Sequence, residues 1–146
     1  MITEVPAPAL AAKAATLKRR FLSLVYEILI LAAVLLLATL PLVFLTQGWA
    51  QHFARAALQL WLLLFCGAFY TWQWAGTGQT LPMKTWKLRV VRRDGAPPSH
   101  ARAFVRYFAA LISVATLGMG FLWALLDSDK QFLHDRLAGT RLVDAA

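Results

Sequence analysis

From Phe21 to Leu45 the chain is almost continuously apolar, interrupted only by Ser23, Glu27 and Thr39. At a helical rise of about 1.5 Å per residue, such a run more than covers the roughly 30 Å hydrocarbon core of a bilayer. In water it would have to be hidden on every side. A chain of 146 residues that is 60% hydrophobic and 15% charged has too little polar surface to enclose such a core. A cleaved signal peptide also starts with basic residues, here Lys18, Arg19 and Arg20, ahead of an apolar stretch. Its apolar region is roughly 7–15 residues long, whereas this run is longer and carries an acid, so a tilted membrane span is expected.

Two further apolar runs follow. Ala56 to Ala75 has no charged residue and contains Trp61, Trp72 and Trp74. With Trp49 ahead of the run, Trp72 and Trp74 suit headgroup-level positions, and lipid-facing bulk explains them equally well. Ala103 to Leu126 carries Arg106 near its start and Gly118-Met119-Gly120 past its middle. It either crosses the membrane or bends at the glycines and returns as a re-entrant segment, with its backbone buried in protein. Between them, Gly76 to Arg102 is the longest polar region. Within it, Leu88-Arg89-Val90-Val91 alternates apolar and basic residues before the turn signal Asp94-Gly95, and Thr140-Arg141-Leu142-Val143 echoes it. Two such pieces satisfy their backbone groups by pairing with one another. The expected fold is therefore an all-α integral membrane protein with three hydrophobic helical segments, at about 21–45, 56–75 and 103–126, and a short β pairing between 86–93 and 139–144. These make a domain over 18–144 behind a flexible tail at 1–17.

The formal charge of +8 comes from basic residues that flank apolar runs instead of forming one basic face. That placement favours the lipid bilayer and its anionic headgroups as partners, not nucleic acid. Four Lys or Arg precede the first span, one (Arg55) separates the first two, and six lie between Gly76 and Arg102. By the positive-inside rule the N-terminus and the 76–102 loop face the cytoplasm in a multi-pass topology. A complete third crossing would put the tail outside, and β pairing would put it inside. Cys66 is a lone thiol in an apolar run, which suits a small hydrophobe, and the three His are too scattered for a metal site. Gly78-Gln79-Thr80 lacks the spacing and Lys of a phosphate loop, and no nucleophilic triad stands out. No enzymatic activity, catalytic residue, metal or cofactor is expected.

Three stretches together form a pattern: Arg19-Arg20-Phe21-Leu22-Ser23-Leu24-Val25-Tyr26-Glu27, then Gly78-Gln79-Thr80-Leu81 with Leu88-Arg89-Val90-Val91 and Asp94-Gly95, then His134-Asp135-Arg136-Leu137-Ala138-Gly139-Thr140. From about Arg19 to Val143 the chain resembles the RDD family of membrane proteins. The last stretch is the most specific. The resemblance implies a helical membrane architecture, a bacterial inner membrane and an unsettled activity for which transport is the usual suggestion. The family is named for one Arg and two Asp, which by position are Arg20, Glu27 and Asp135. Glu27 departs from the pattern by carrying its carboxylate on a longer stem, and Pro82 stands where the family often has Gly.

Arg20 and Glu27 are seven residues apart, on one helix face with about 10.5 Å of axial separation. Arg20 is expected to snorkel to the cytoplasmic headgroups as an anchor, leaving Arg106 to partner Glu27. Glu27 then makes a structural polar contact, stays a protonated hydrogen-bonded carboxyl, or handles protons or cations. Asp135 caps a turn, binds Arg136 or a basic loop residue, or touches a ligand. His134 beside it admits a proton relay. Gln79 and Thr80 complete the candidate set with Arg106, His134 and Arg136. Two functions fit: a subunit of an oligomeric transporter for a cation or small solute, with Glu27 handling protons, or a non-transporting accessory or scaffold protein that binds a larger membrane partner or anionic lipid. The first implies a homo-oligomer, for which Ala32, Ala33, Gly118 and Gly120 offer close-packing surfaces.

Overall fold

A computed structural model describes residues 15–145. The expected tail therefore falls almost entirely outside the described residues, and helix begins at Leu17. α1 (Leu17–Leu45) and α2 (Gln51–Thr77) form a long hairpin, closed by a short turn at 46–50. At about 1.5 Å per residue, 29 and 27 residues give lengths of about 43 and 40 Å, enough to pass through hydrocarbon and into the headgroups on both sides. The excess places polar Gln51, His52 and Arg55 inside the first turns of α2, where the sequence pattern suggested a loop. The most apolar window of α1 has a mean hydropathy of 3.0 and contains no buried residue. Leu29, Leu36, Leu37 and Phe44 stand clear of the protein, as lipid-facing side chains must.

The third apolar segment does not form one helix. α4 (His100–Ala115) ends at Thr116, and α5 (Met119–Leu126) leaves at 98° to it. Leu117 (φ 56°) and Gly118 (φ 82°) make the corner, a left-handed backbone that only Gly adopts without steric cost. The freed groups are satisfied locally: Gly118 N–H donates to Ser113 O at 2.8 Å, and Met119 N–H to Thr116 O at 3.2 Å. Gly120 then packs directly on Ser113, whose hydroxyl and Cβ occupy the space a Cβ on Gly120 would need. Gly120 is therefore buried within the chain, not available to a second protomer as the small-residue pattern suggested.

The remaining elements gather at one end of the hairpin. α3 (Leu81–Thr85) follows the end of α2, and β1 (Leu88–Arg92) follows α3. The short α6 (Leu133–Ala138) leads into β2 (Thr140–Asp144). β1 and β2 pair antiparallel with Leu88 opposite Asp144, Val90 opposite Leu142 and Arg92 opposite Thr140, which realises the expected pairing of the two segments. The outer edges of this ribbon are also closed. Val90 N–H donates to Gly78 O at 2.8 Å, and Leu142 N–H donates to the Gln131 side-chain oxygen at 3.1 Å. Leu88, Val90 and Leu142 join Tyr70, Trp74, Met83, Tyr107 and Phe132 in the buried core. Both ends of the α4–α5 segment return to this same end of the molecule: Arg102 and Arg106 of α4 reach α6 and β2, and Lys130 beyond α5 meets Arg20 at the start of α1.

Candidate functional site

The two arginines at the start of α1 are inward latches, not headgroup anchors. Arg20 is 1% exposed. Its guanidinium donates to Lys130 O and, at 3.1 Å, to Leu142 O, and it lies 5.8 Å from the centre of the Phe132 ring. Carbonyl dipoles and a ring face thus replace the hydration that a snorkelling Arg20 would have kept. Arg19 binds Asp144 at 2.6 Å and the carbonyls of Trp86 and Lys87. In the sequence Lys18-Arg19-Arg20 reads as a basic flank because carbonyl partners 67 to 122 residues away leave no local signal.

Arg106 pairs with Asp135, where Glu27 was expected to be its partner. The Arg106–Asp135 ion pair is buried, with side chains 3% and 0% exposed. Arg106 also donates to Thr140 Oγ1 at 3.2 Å, and its guanidinium sits 4.8 Å from the centre of the Trp74 ring. Trp74 is therefore an interior platform and not an interfacial belt residue, whereas Trp49 and Trp72 are exposed. The second oxygen of Asp135 accepts from Phe132 N–H at 3.3 Å, capping α6 as one of the expected readings held. Arg136 turns away from Asp135 to bind Asp127 at 2.8 Å and Asp129 at 3.0 Å. Arg106 thus ties α4 to α6 through its ion pair and to β2 through Thr140.

His134 is buried and stacks on Phe132 at 5.3 Å between ring centres; its Nδ1 has no hydrogen-bond partner. Burial first, and the Arg106 charge second, hold its imidazole well below the ordinary range. The folded protein therefore keeps His134 neutral, while the unfolded chain takes up a proton near pH 6.5. Stability is present above that pH and is lost as pH falls through it. The thermal midpoint in detergent is expected to fall between pH 7.5 and 5.5, with His134→Gln flattening the slope. An unchanged slope in the variant refutes this assignment.

Glu27 lies beside that hub without an ion pair to it. It is half-buried on α1, and its carboxylate accepts from Thr80 Oγ1 at 2.7 Å. Tyr70 and Arg106 are the other groups that act on it. The Gly78-Gln79-Thr80 motif builds this contact. Gly78 closes α2 in the left-handed conformation, Gln79 donates to Leu88 O at 2.7 Å, and Thr80 caps α3 through Met83 N–H. Pro82 lies in the first turn of α3, where a helix leaves its N–H groups unbonded, so the departure from glycine there costs no hydrogen bond.

The three motif stretches of the sequence thus converge on one end of one fold. The RDD family profile matches residues 14–139. The chain belongs to the RDD family. Neither the curated proteins nor the solved structures provide a match. In this RDD protein the Arg and the last Asp of the motif both serve the Phe132–Leu142 stretch: Arg20 bonds Leu142 O over the Phe132 ring, and Asp135 caps Phe132 N–H. The middle acid, Glu27, serves the Gly-Gln-Thr turn. Arg20, Arg106, Asp135 and Arg136 are engaged by protein partners, and Glu27 is the motif acid held by a neutral hydroxyl.

Proposed function

We propose that this protein is a subunit of an oligomeric transporter for a cation or small solute in the bacterial inner membrane, with Glu27 taking up and releasing protons. The observation that carries the reading is the partner of Glu27. An ionised carboxylate in a span costs roughly 2.5–3.5 kcal/mol even on insertion scales, and such groups face protein interiors or watered cavities. Here its hydrogen-bond partner is the Thr80 hydroxyl, at 2.7 Å, while the interior cation Arg106 is engaged by Asp135. A hydroxyl donates to a carboxylate and accepts from a carboxylic acid, so Glu27 keeps a partner in both protonation states.

The distribution of Lys and Arg supports a cytoplasmic location for the N-terminus and the 76–102 loop, and the β1–β2 pairing carries the tail to the same side. Glu27 then lies about two helical turns in from that face. Two spans and a broken segment are few to enclose a pathway, and the exposed apolar face of α1, with Ala32 and Ala33, supplies a surface for other protomers.

Proteoliposomes of the full chain with a pH-sensitive dye test this reading. Cation-dependent proton movement is expected, abolished by Glu27→Gln with assembly and melting retained, and preserved in part by Glu27→Asp. Well-folded protein that moves no protons against a panel of monovalent and divalent cations would rule it out. The basic residues Lys84, Lys87, Arg89 and Arg93, exposed at the sheet end, favour the second reading, an accessory or scaffold protein on anionic lipid or a larger membrane partner. In that case no flux is seen and Glu27→Gln instead weakens co-purification of the partner.

A further inference from the structure

We propose that the cleft between β2, α6 and the 127–132 loop is a binding site for a phosphate-bearing anion. Its volume is about 330 Å³, and it is lined by Arg93, Arg136, Arg141, Asp129, Gln131 and Thr140, with Asp135 at its inner side. That is at the small end of the roughly 300–1,000 Å³ of small-molecule sites and suits a headgroup or a small phosphate ester.

The charge arrangement decides the sign of the ligand. Three guanidiniums meet two carboxylates in this cleft. Asp135 is neutralised by Arg106 from the core side, and Asp129 accepts from Arg136 at 3.0 Å. Arg93 and Arg141 make no side-chain hydrogen bond or ion pair among the described residues. Two guanidiniums are thus left without a carboxylate. Arg136 is oriented by three bonds, Nε and one terminal nitrogen to Asp127 at 3.0 and 2.8 Å and that same nitrogen to Asp129 at 3.0 Å, so its other terminal nitrogen remains a free donor.

The floor is rigid for the same reason the hub is. Thr140 and Gln131 are 3% and 2% exposed and are tied to Arg106 and to Leu142 N–H. Arginine forks on a fixed strand and a pinned helix match the tetrahedral oxygens of phosphate, which accept paired N–H donors. The ligand chemistry is a phosphate monoanion or dianion, carried either by an anionic phospholipid of the adjoining leaflet or by a soluble phosphate compound. The inference stands independently of the transport reading, because Glu27 takes no part in the cleft.

The full chain in mild detergent is titrated with inorganic phosphate, with a short-chain anionic phospholipid, with its zwitterionic counterpart, and with chloride at matched ionic strength. Binding is read by thermal shift and by native mass spectrometry. Wild-type protein is expected to bind phosphate or the anionic lipid above the chloride baseline, and R93Q/R141Q to bind it at least about tenfold more weakly. K18Q/R55Q removes the same charge from exposed positions outside the cleft and is expected to bind like wild type. Binding of inorganic phosphate identifies a soluble ligand, and binding of the lipid alone identifies a headgroup. If the double variant melts early without ligand, Arg93→Gln in the turn after β1 carries the test. Equal losses in the cleft and control variants, or no response beyond chloride, overturn the proposal.

Discussion

Asp135→Ala is expected to lower the unfolding free energy of the solubilised chain by about 3–5 kcal/mol, the range found when one member of a buried ion pair is removed. The cost arises on the partner. Arg106 is 2% exposed, and its guanidinium, fixed over Trp74, has no water to turn to once the carboxylate is gone. The cap on Phe132 N–H is lost with it, worth about 1 kcal/mol. Asp135→Asn keeps an acceptor for that N–H and still leaves the cation uncompensated, so it is expected to recover only the smaller part. The decisive comparison is the double variant Arg106→Met with Asp135→Leu. It removes both charges together, and it is expected to be substantially more stable than Asp135→Ala alone. Thermal or denaturant unfolding in one detergent measures all three, together with Arg106→Met and Asp135→Leu singly. A loss within about 0.5 kcal/mol for Asp135→Ala, or a double variant as unstable as the sum of the singles, would show that the pair does not hold α4 to α6.

This hub also marks how far the amino-acid sequence can be read. The spans were legible because they answer to a local quantity: Phe21 to Leu45 is long and apolar whatever surrounds it. The ribbon was legible too, since Leu88–Val91 and Thr140–Val143 each alternate and each needs a partner strand. The corner in the third segment was visible as a glycine pair, but whether it crosses or returns depends on contacts at its ends, Arg102 with Gly139 and Arg20 with Lys130, which no periodicity encodes. Partner choice was the least legible layer. From α4, Arg106 lies within reach of charges on two sides, and proximity along the membrane normal suggested Glu27. Asp135 holds it instead because the β1–β2 pairing brings α6 back against α4. Thr80, noted for its motif, gave no sign that its hydroxyl would be Glu27's donor.

The other large effect is expected at Arg20, where the direction of the side chain separates an anchor from a latch. Its donors join the 127–132 loop, through Lys130 O, to β2, through Leu142 O, across sequence separations of 110 and 122 residues. A headgroup anchor would tolerate Lys, since any cation at the end of a long stem reaches the phosphates. A two-carbonyl latch would not, because an ammonium is a point charge without the planar fork that spans both oxygens. Arg20→Ala is expected to cost about 2–4 kcal/mol, less than two charge-assisted bonds summed, because the burial penalty of the cation is relieved with them. Arg20→Lys is expected to recover less than half of that. Hydrogen exchange locates the effect: the amides of Gln131 and of β2 should lose protection while those in the middle of α1 and α2 keep it, since the hairpin's own helical bonds do not pass through Arg20. Full rescue by Lys, or protection lost along the spans and retained in β2, would return Arg20 to the membrane surface and leave the tail held by the β1–β2 pairing and by Arg19, Arg102 and Arg106.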